Sequence, residues 1–249
     1  MIVKDKVVFI AGGADCIGKA AAEKLSAEGA RVFLGYRADT ADKDVVEKLP
    51  AEGVPYEWNV GQPLDQAVNH IIEKAGRIDV LVNNFLPVEK GLKPFEEVSR
   101  EDMGDIFFRT ELVFDLSRRV YKNMAENKKG KIINFMFSPA FDFGAPLCSI
   151  YSLYSGAMLG ICKGLVREIG VDGICINCIS LGLLDEFVER ATGAGKKLLS
   201  NLIGSQAFKR TLKPEDVANS IFYLASENSD FFNGQVAIVN NGNATFANL

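Results

Sequence analysis

Histidine is nearly absent from the sequence, since His70 is the one histidine among 249 residues. It lies in the helical-looking segment QAVNHIIEKAG, and no cysteine or histidine stands close to it in the sequence. Because protein metal sites are built mainly from clusters of such residues, we expect a surface or packing role for His70 and no metal. Chemistry that needs an imidazole is therefore not predicted.

Cysteine is also sparse, with five residues. Cys175 and Cys178 form a C-x-x-C pair, a spacing that occurs in redox and metal sites. The surrounding ICINCI is typical of a buried strand, in which residues three apart face opposite sides of the sheet. We therefore interpret the pair as structural.

The sequence lacks long apolar runs and blocks of like charge. The 28 basic and 32 acidic residues are interspersed and give a net charge of -4, so no basic surface for nucleic acid is expected. No apolar segment is long enough to cross a bilayer, and no signal-peptide core follows Met1. We predict a cytoplasmic protein that has neither a membrane nor a nucleic acid as its partner.

Among the features that are present, the stretch from Lys6 to Lys19, KVVFIAGGADCIGK, organises the rest. An apolar run, two glycines and an alanine-rich segment predict a buried strand, a tight turn and a helix. In an open parallel sheet, such a turn brings a helix N-terminus to the sheet edge, where free N–H groups bind phosphate. A turn that only joins a strand closely to a helix has the same pattern, so both interpretations stay open.

Strand-like and helical segments alternate along the rest of the chain. The strand-like segments are RVFLG, VPYEW, IDVLVNN, KIINFMF, GICINCIS and GQVAIVN. This order predicts one α/β domain, residues 1–249, with a doubly wound parallel sheet and helices on both faces. Two long helices are expected at about 99–127 and 149–170. The less regular segment at about 185–210 is a candidate substrate lid.

Several strings, taken in order, resemble the short-chain dehydrogenase/reductase family over essentially the whole chain. They are Gly12 with Ile17 and Gly18, IDVLVNN through Asn84, KIIN, INCISLG, PEDVA, LAS, NGQ and VNNG. The resemblance implies a single Rossmann-like domain that binds NAD(H) or NADP(H) and moves hydride to or from a carbonyl carbon of a small molecule. It also implies a homodimer or homotetramer, formed through the two long helices.

The cofactor motifs depart from the family pattern T-G-x-x-x-G-x-G. Cys16 stands where the middle glycine would allow the backbone to approach a pyrophosphate. Phe85 and Leu86 replace the small residues of N-N-A-G, and Asn59 replaces an aspartate that would hold adenine. The resemblance implies these cofactor-binding residues: Gly12, Cys16, Ile17, Gly18, Arg37, Asn59, Asn84 and Phe85.

Arg37 bears on the choice between the two cofactors. Tyr36 stands where an NAD-preferring relative would carry an acid, and an arginine directly after it can grip a 2′-phosphate. This favours NADP(H) over NAD(H), if a cofactor binds. The alternative is an exposed arginine at a strand end, and Asp15 inside the turn would repel a phosphate.

The resemblance places the catalytic tyrosine at Tyr151 and the serine at Ser138, with Phe137 as the alternative position. The family lysine falls on Ser155, and the family asparagine falls on Arg109. Losing a cation about 5 Å from a phenolate removes roughly 3 kcal/mol of assistance at an effective dielectric constant near 20.

Two neighbouring side chains offer partial replacements for the lost groups. Arg109 can supply the missing charge, or it can pair with Glu111 or Asp105, or with an acid across a subunit boundary. Tyr154, three residues after Tyr151, is a second phenol close to the expected pocket.

Three functions remain open from the sequence. The first is an NADP(H)-preferring carbonyl reductase or alcohol dehydrogenase that acts on a small apolar or aromatic substrate. The second is a cofactor-independent, non-redox enzyme similar to halohydrin dehalogenases, which Phe85 and Leu86 suit and Ser155 does not. The third is a catalytically silent family member that acts as a subunit or binding protein.

Overall fold

The computed structural model describes residues 2–37, 42–56, 62–87, 90–142 and 144–243. These residues contain a parallel seven-stranded sheet with the order β3-β2-β1-β4-β5-β6-β7. The strands are β1 (Val7–Ala11), β2 (Arg31–Arg37), β3 (Glu52–Tyr56), β4 (Val80–Asn83), β5 (Gly130–Phe137), β6 (Ile174–Leu181) and β7 (Val236–Val239).

Helices connect the strands and cover the sheet. They are α1 (Cys16–Ala27), α2 (Asp42–Val46), α3 (Gln62–Ala75), α4 (Arg100–Glu126), α5 (Ser138–Phe141), α6 (Ser149–Gly170), α7 (Asp185–Arg190), α8 (Gly193–Ser205) and α9 (Pro214–Ala225). Helix α1 packs on α9, and α4 packs on α3 and α6. The predicted doubly wound α/β fold is thereby confirmed.

The central strands are buried on both faces. Every residue of β1, β4 and β5 is buried, which explains why VVFIA of β1 and VLV of β4 are apolar runs rather than alternating patterns. The strand order reverses between β1 and β4, and the loops after these two strands diverge there. In open α/β sheets, this switch point is where ligands bind.

Helix α4 shows how local sequence sets an element boundary. The Ser99 hydroxyl accepts a hydrogen bond from the Asp102 N–H, and the Asp102 carboxylate accepts one from the Ser99 N–H. Lys93 donates to the same carboxylate, and this contact, together with those to Ser99, lowers the pKa of Asp102 to about 2. The expected long helix, with Ser99 as its N-cap, is confirmed.

The segment that we expected to be irregular, 185–210, forms helices α7 and α8 instead. Helix α7 ends at Arg190, and α8 begins at Gly193, whose φ is 54°. Because the glycine-rich sequence shows no long helical pattern, it did not predict these two helices. In β6, Cys178 is buried and Cys175 is half-buried, as expected for a structural pair. Among the described helices, none is long and apolar enough to cross a membrane.

Candidate functional site

A cleft of about 900 Å³ lies at the carboxyl ends of the central strands, at the switch point. It runs from the turn after β1 to helix α7. Its walls include residues from the glycine turn, the end of β2, the loop after β4, and helices α4 and α7. Those that bear on ligand binding are Gly12, Asp15, Cys16, Lys19, Arg37, Tyr56, Asn84, Leu86, Asp105, Arg109, Glu186, Glu189 and Arg190.

Gly12 begins the turn, and only glycine fits at this position. Its φ is 76°, and a Cβ atom would lie 2.3 Å from the backbone oxygen of Asn84. The Gly12 N–H donates a hydrogen bond of 3.0 Å to the hydroxyl of Tyr56. Tyr56 comes from β3, and no local motif in the sequence predicts that it reaches the turn.

Asp15 is the N-cap of helix α1, and its carboxylate accepts a hydrogen bond from a free N–H of the first helical turn. Its Oδ1 accepts hydrogen bonds from the Gly18 N–H and from the Asn84 side-chain amide, both at 2.8 Å. Burial raises the pKa of Asp15 to about 6, and the nearby charge of Glu186 acts in the same direction. Ile17 is buried behind the turn.

Gly18 is packed against the same turn from the helix side. A Cβ atom at Gly18 would lie 2.2 Å from the oxygen of Gly13, so strand and helix meet too closely for a side chain. Strand and helix are therefore packed closely at this turn, while the Asp15 carboxylate occupies the N-terminus of α1, where an anion would bind.

Cys16 and Glu186 of α7 both line the cleft. Burial raises the pKa of Cys16, and the nearby Glu186 and Asp15 act in the same direction. Arg37 is exposed at the end of β2 and lines the cleft. Asn59, predicted to contact adenine, lies outside the described residues.

Leu86 and Arg109 line the cleft on the side of α4, and Phe85 lies behind them. Phe85 is 1% exposed, so it belongs to the core, and Leu86 is buried at the cleft edge. The Arg109 guanidinium donates to Asp105 at 2.8 Å and to the Phe85 carbonyl at 3.3 Å. Of the alternatives for Arg109, the structure shows the pairing with Asp105.

Tyr151 is enclosed by aromatic rings. Its ring centroid lies 4.9 Å from that of Phe137 and 5.7 Å from that of Phe187, which comes from α7. The Tyr151 hydroxyl donates to the Pro87 carbonyl at 3.1 Å, and the residue is 1% exposed. Its hydroxyl therefore points into the protein interior.

Ser155 and Tyr154 are fully buried on the next turn of α6. The Ser155 hydroxyl accepts a hydrogen bond of 3.0 Å from the Phe137 N–H, so it completes the backbone of β5. The Tyr154 hydroxyl has no hydrogen-bond partner among the residues that the structure describes. Burial raises the pKa of Tyr154, although the charge of Arg109 opposes the shift.

Ser138 belongs to a polar cluster at the ends of β5, β6 and β7. Its hydroxyl accepts a hydrogen bond of 2.9 Å from the Asn240 amide and donates one to Asp142. Ser180 donates to the same carboxylate, and burial raises the pKa of Asp142. The sequence did not predict that Asp142 and Asn240 contact Ser138, because Asp142 stands in no motif and Asn240, in the string VNNG, is 102 positions away.

The described residues do not fit a dinucleotide whose reactive end reaches Tyr151. Tyr151, Ser138 and Ser155 are absent from the described lining of the cleft. At the phosphate end, the carboxylates of Asp15 and Glu186 would repel a pyrophosphate, and Asp15 already takes a helix N–H.

The described part of the chain also lacks a cluster of three or more histidine, cysteine or acidic side chains placed to bind a metal.

Comparison with known proteins agrees with the fold and with the motifs. Residues 12–244 match the family model described as enoyl-(acyl carrier protein) reductase. L-2,3-butanediol dehydrogenase from Corynebacterium glutamicum is 31% identical, over 95% of this chain and 98% of that protein. A subunit of (2S)-[(R)-hydroxy(phenyl)methyl]succinyl-CoA dehydrogenase from Thauera aromatica is 29% identical, over 99% and 100%.

A solved structure of a short-chain dehydrogenase/reductase from Serratia marcescens superposes with a TM-score of 0.83 at 25% identity. The match covers 98% of this chain and 100% of that one. The chain therefore belongs to the short-chain dehydrogenase/reductase family of oxidoreductases.

Proposed function

We propose that this chain is a catalytically silent member of its family and serves as a subunit of an oxidoreductase. The observation that carries the proposal is the state of Tyr151, whose hydroxyl donates to the Pro87 carbonyl at 1% exposure. A general acid must reach the atom that it protonates, within about 3 Å or through one water. A phenol that faces a backbone carbonyl in the interior does not meet this condition.

The other family positions support the same conclusion. Ser155 stands in place of the lysine and accepts a hydrogen bond from a backbone N–H. Ser138 is fully buried and is engaged by Asp142 and Asn240. Each residue that would act on a substrate is thus used to hold the fold together.

A role in assembly is supported by helix α4 and by one relative. Phe107 and Phe114, on the outer face of α4, are 57% and 48% exposed and line a groove with Ile161 of α6. Apolar side chains grouped on a helix face are typical of interfaces. The relative from Thauera aromatica is named as a subunit of a dehydrogenase. We propose that α4 and α6 dock on a catalytic subunit of the same family.

The test uses the chain in its native complex. A tagged copy carrying Tyr151→Phe and Ser138→Ala replaces the natural copy in the source cells, and the complex is isolated through the tag. We expect oxidoreductase turnover within twofold of the complex with the natural chain. A drop of a hundredfold or more, with assembly intact, would show that this chain performs the chemistry.

A second candidate is an NADP(H)-preferring carbonyl reductase that acts on a small apolar or aromatic substrate. The observation in its favour is Arg37, which lines a cleft large enough for a nucleotide. In this case NADPH would supply the hydride, and Tyr151 would have to leave Pro87 to donate its proton. Thermal-shift titration of the isolated chain with NADPH and NADH separates the two candidates, because the silent subunit is expected to show no shift.

A further inference from the structure

We propose that Lys6 is a carbon dioxide site, at which the side-chain amine forms a carbamate. Lys6 lies at the amino ends of the central strands, on the edge of the sheet opposite to the cleft. The proposal therefore goes beyond the proposed function, and it does not depend on whether the cleft is active.

Hydrogen bonds at this edge fix the backbone around Lys6. The Arg31 N–H donates to the Lys6 carbonyl at 2.9 Å. The Asp79 carboxylate accepts a hydrogen bond of 2.7 Å from the Val7 N–H, and the Asp79 carbonyl accepts one of 3.0 Å from the Lys131 N–H. The starts of β1, β4 and β5 are thus joined, and Lys6 has a defined place beside them.

The Lys6 ammonium group has little support for its charge. The side chain is 12% exposed, and its nitrogen donates no hydrogen bond to any residue that the structure describes. An oxygen of the Glu227 carboxylate lies 3.8 Å away, but the same oxygen accepts a hydrogen bond of 2.8 Å from Lys129. Because a partly buried charge without a hydrogen bond is costly, this setting favours the neutral amine.

Two further lysines stand close to Lys6, and each has the acceptor that Lys6 lacks. The contact with Glu227 raises the pKa of Lys129, so this neighbour keeps its charge. Lys131 is 5% exposed, and its nitrogen lies 2.8 Å from the Asp230 carboxylate. The amine of Lys6 is therefore the one in this group that can give up its proton most easily.

Four charged side chains act on Lys6 from the neighbouring segments. Burial lowers the pKa of Lys6, and the charges of Lys129 and Lys131 act in the same direction, whereas those of Glu227 and Asp79 oppose the shift. The lowering effects prevail. A lysine that is desolvated beside other cations is a better nucleophile at neutral pH, because more of it is the free amine.

The limited access to Lys6 selects a small electrophile. At 12% exposure the side chain is out of reach of a bulky acyl donor, whereas carbon dioxide is a linear triatomic molecule. Carbon dioxide also reacts only with a neutral amine. Its product is an anion, and Lys129 and Lys131 are the cations that attract a negative charge at this place.

The step is an addition in which nothing is oxidised or reduced. The lone pair of neutral Lys6 Nζ attacks the carbon of carbon dioxide, a nitrogen–carbon bond forms, and one carbon–oxygen π pair moves onto an oxygen. One amine proton passes to water, which leaves a carbamate anion. The side chain thereby changes its charge from positive to negative, and Lys129 gains a second anion with which to pair.

The experiment incubates the full chain with ¹³C-labelled bicarbonate and carbon dioxide at about pH 7.5. Triethyloxonium then alkylates the carbamate oxygen, and mass spectrometry of peptides gives the labelled fraction of each lysine. Lys128 is the internal control, because it is 71% exposed and its contact with Asp172 raises its pKa. We expect the labelled fraction of Lys6 to exceed that of Lys128 at least about tenfold. The carbamate signal in ¹³C NMR should be lost in Lys6→Arg.

Two substitutions with opposite expected effects test the electrostatic cause. Lys129→Gln removes a cation and frees Glu227 to pair with Lys6, so the label on Lys6 should fall at least about threefold. Glu227→Gln removes a carboxylate that favours the charged amine, so the label should rise. Lys128→Gln is the matched control, and it should leave the label on Lys6 unchanged.

These three substitutions replace side chains that are about half exposed or more, and circular dichroism checks that each variant is folded. Equal labelling of Lys6 and Lys128 in the natural chain would overturn the proposal. So would a label on Lys6 that Lys129→Gln and Glu227→Gln leave unchanged or shift in the same direction.

Discussion

The hydroxyl of Tyr151 lies 3.1 Å from the backbone carbonyl oxygen of Pro87 and donates a hydrogen bond to it. The two residues are 64 positions apart, so the bond joins the loop after β4 to helix α6. A residue type that its family uses for proton transfer serves here as a tertiary contact.

Replacing Tyr151 with phenylalanine tests this contact. The substitution leaves the Pro87 carbonyl without this donor, and we expect the free energy of unfolding to fall by about 1–2 kcal/mol. Urea unfolding followed by circular dichroism measures the change. Tyr223→Phe is the control, because its hydroxyl is in an exposed contact of 3.5 Å, and it is expected to change stability by less than about 0.5 kcal/mol. Equal effects of the two variants would contradict this description of Tyr151.

Asp15 predicts a pH dependence of stability with a definite sign. Its pKa in the folded protein is about 6, above the ordinary value of 3.8, so the fold favours the protonated form. The stabilisation is present below about pH 4 and is lost as the pH rises through 6. Asp15→Asn, which keeps the cap acceptor, is therefore expected to be more stable than the natural chain above pH 6, by up to about 3 kcal/mol.

Asp102→Asn is the matched control for this experiment. The pKa of Asp102 is lowered to about 2, so its charged form is favoured and its contribution is lost as the pH falls. Asp102→Asn should therefore destabilise the protein at neutral pH. Denaturant midpoints from pH 4 to pH 8 measure both variants, and shifts of the same sign would contradict the assignment.

Ser155 is expected to be required for stability through its side-chain oxygen. Ser155→Ala leaves the buried Phe137 N–H without its acceptor, which costs about 1–3 kcal/mol. Ser155→Thr keeps an oxygen at this position, so thermal unfolding should show a smaller loss for threonine than for alanine. If alanine is tolerated as well as threonine, the hydrogen bond to Phe137 contributes little.

Gly12 and Gly76 allow steric contact to be separated from backbone strain. Their φ values are 76° and 77°, but a Cβ atom at Gly12 would meet the Asn84 oxygen, whereas one at Gly76 would meet no described atom within 4 Å. Gly76→Ala should cost about 1–2 kcal/mol from the left-handed backbone alone. Gly12→Ala should cost clearly more, as measured by urea unfolding, and equal losses would contradict the close approach to Asn84.

Phe114 is the residue for testing assembly through α4. Phe114→Glu places a charge on the apolar outer face of the helix, and we expect it to dissociate the complex at micromolar concentration. Size-exclusion chromatography with light scattering measures the mass. Phe95→Glu, at a more exposed residue outside α4, is the control and should leave the mass unchanged. An unchanged mass for Phe114→Glu would place the interface elsewhere.

The fold was predictable from the sequence because its signals are local. Apolar runs mark β1 and β4, and Ser99 with Asp102 marks the start of α4. The structure of the segment after β6 was harder to predict, because its glycines weaken the helical pattern. The positions of its two helices depend on tertiary contacts, such as that of Phe187 with Tyr151.

For the candidate site, the family resemblance predicts which residues stand at the catalytic positions, Tyr151, Ser138 and Ser155, and this assignment stays a prediction. No feature of the sequence predicts what their side chains contact. Their partners come from distant segments: Pro87 for Tyr151 and Asn240 for Ser138. A hydrogen bond between residues so far apart leaves no pattern in a single sequence. The burial of the Tyr151 and Ser138 hydroxyls against these partners could therefore be found only from the structure.

The hydrogen bond between Ser138 and Asn240 also bears on the order in which the protein is made. The two residues are 102 positions apart, and Asn240 follows β7, the last strand of the sheet. Because a chain is synthesised from its N-terminus, Ser138 leaves the ribosome long before its partner exists. The nascent protein thus carries an unfinished polar cluster at the end of β5 until Asn240 has left the ribosome. A chain cut short before Asn240 would keep every strand and still lack this bond.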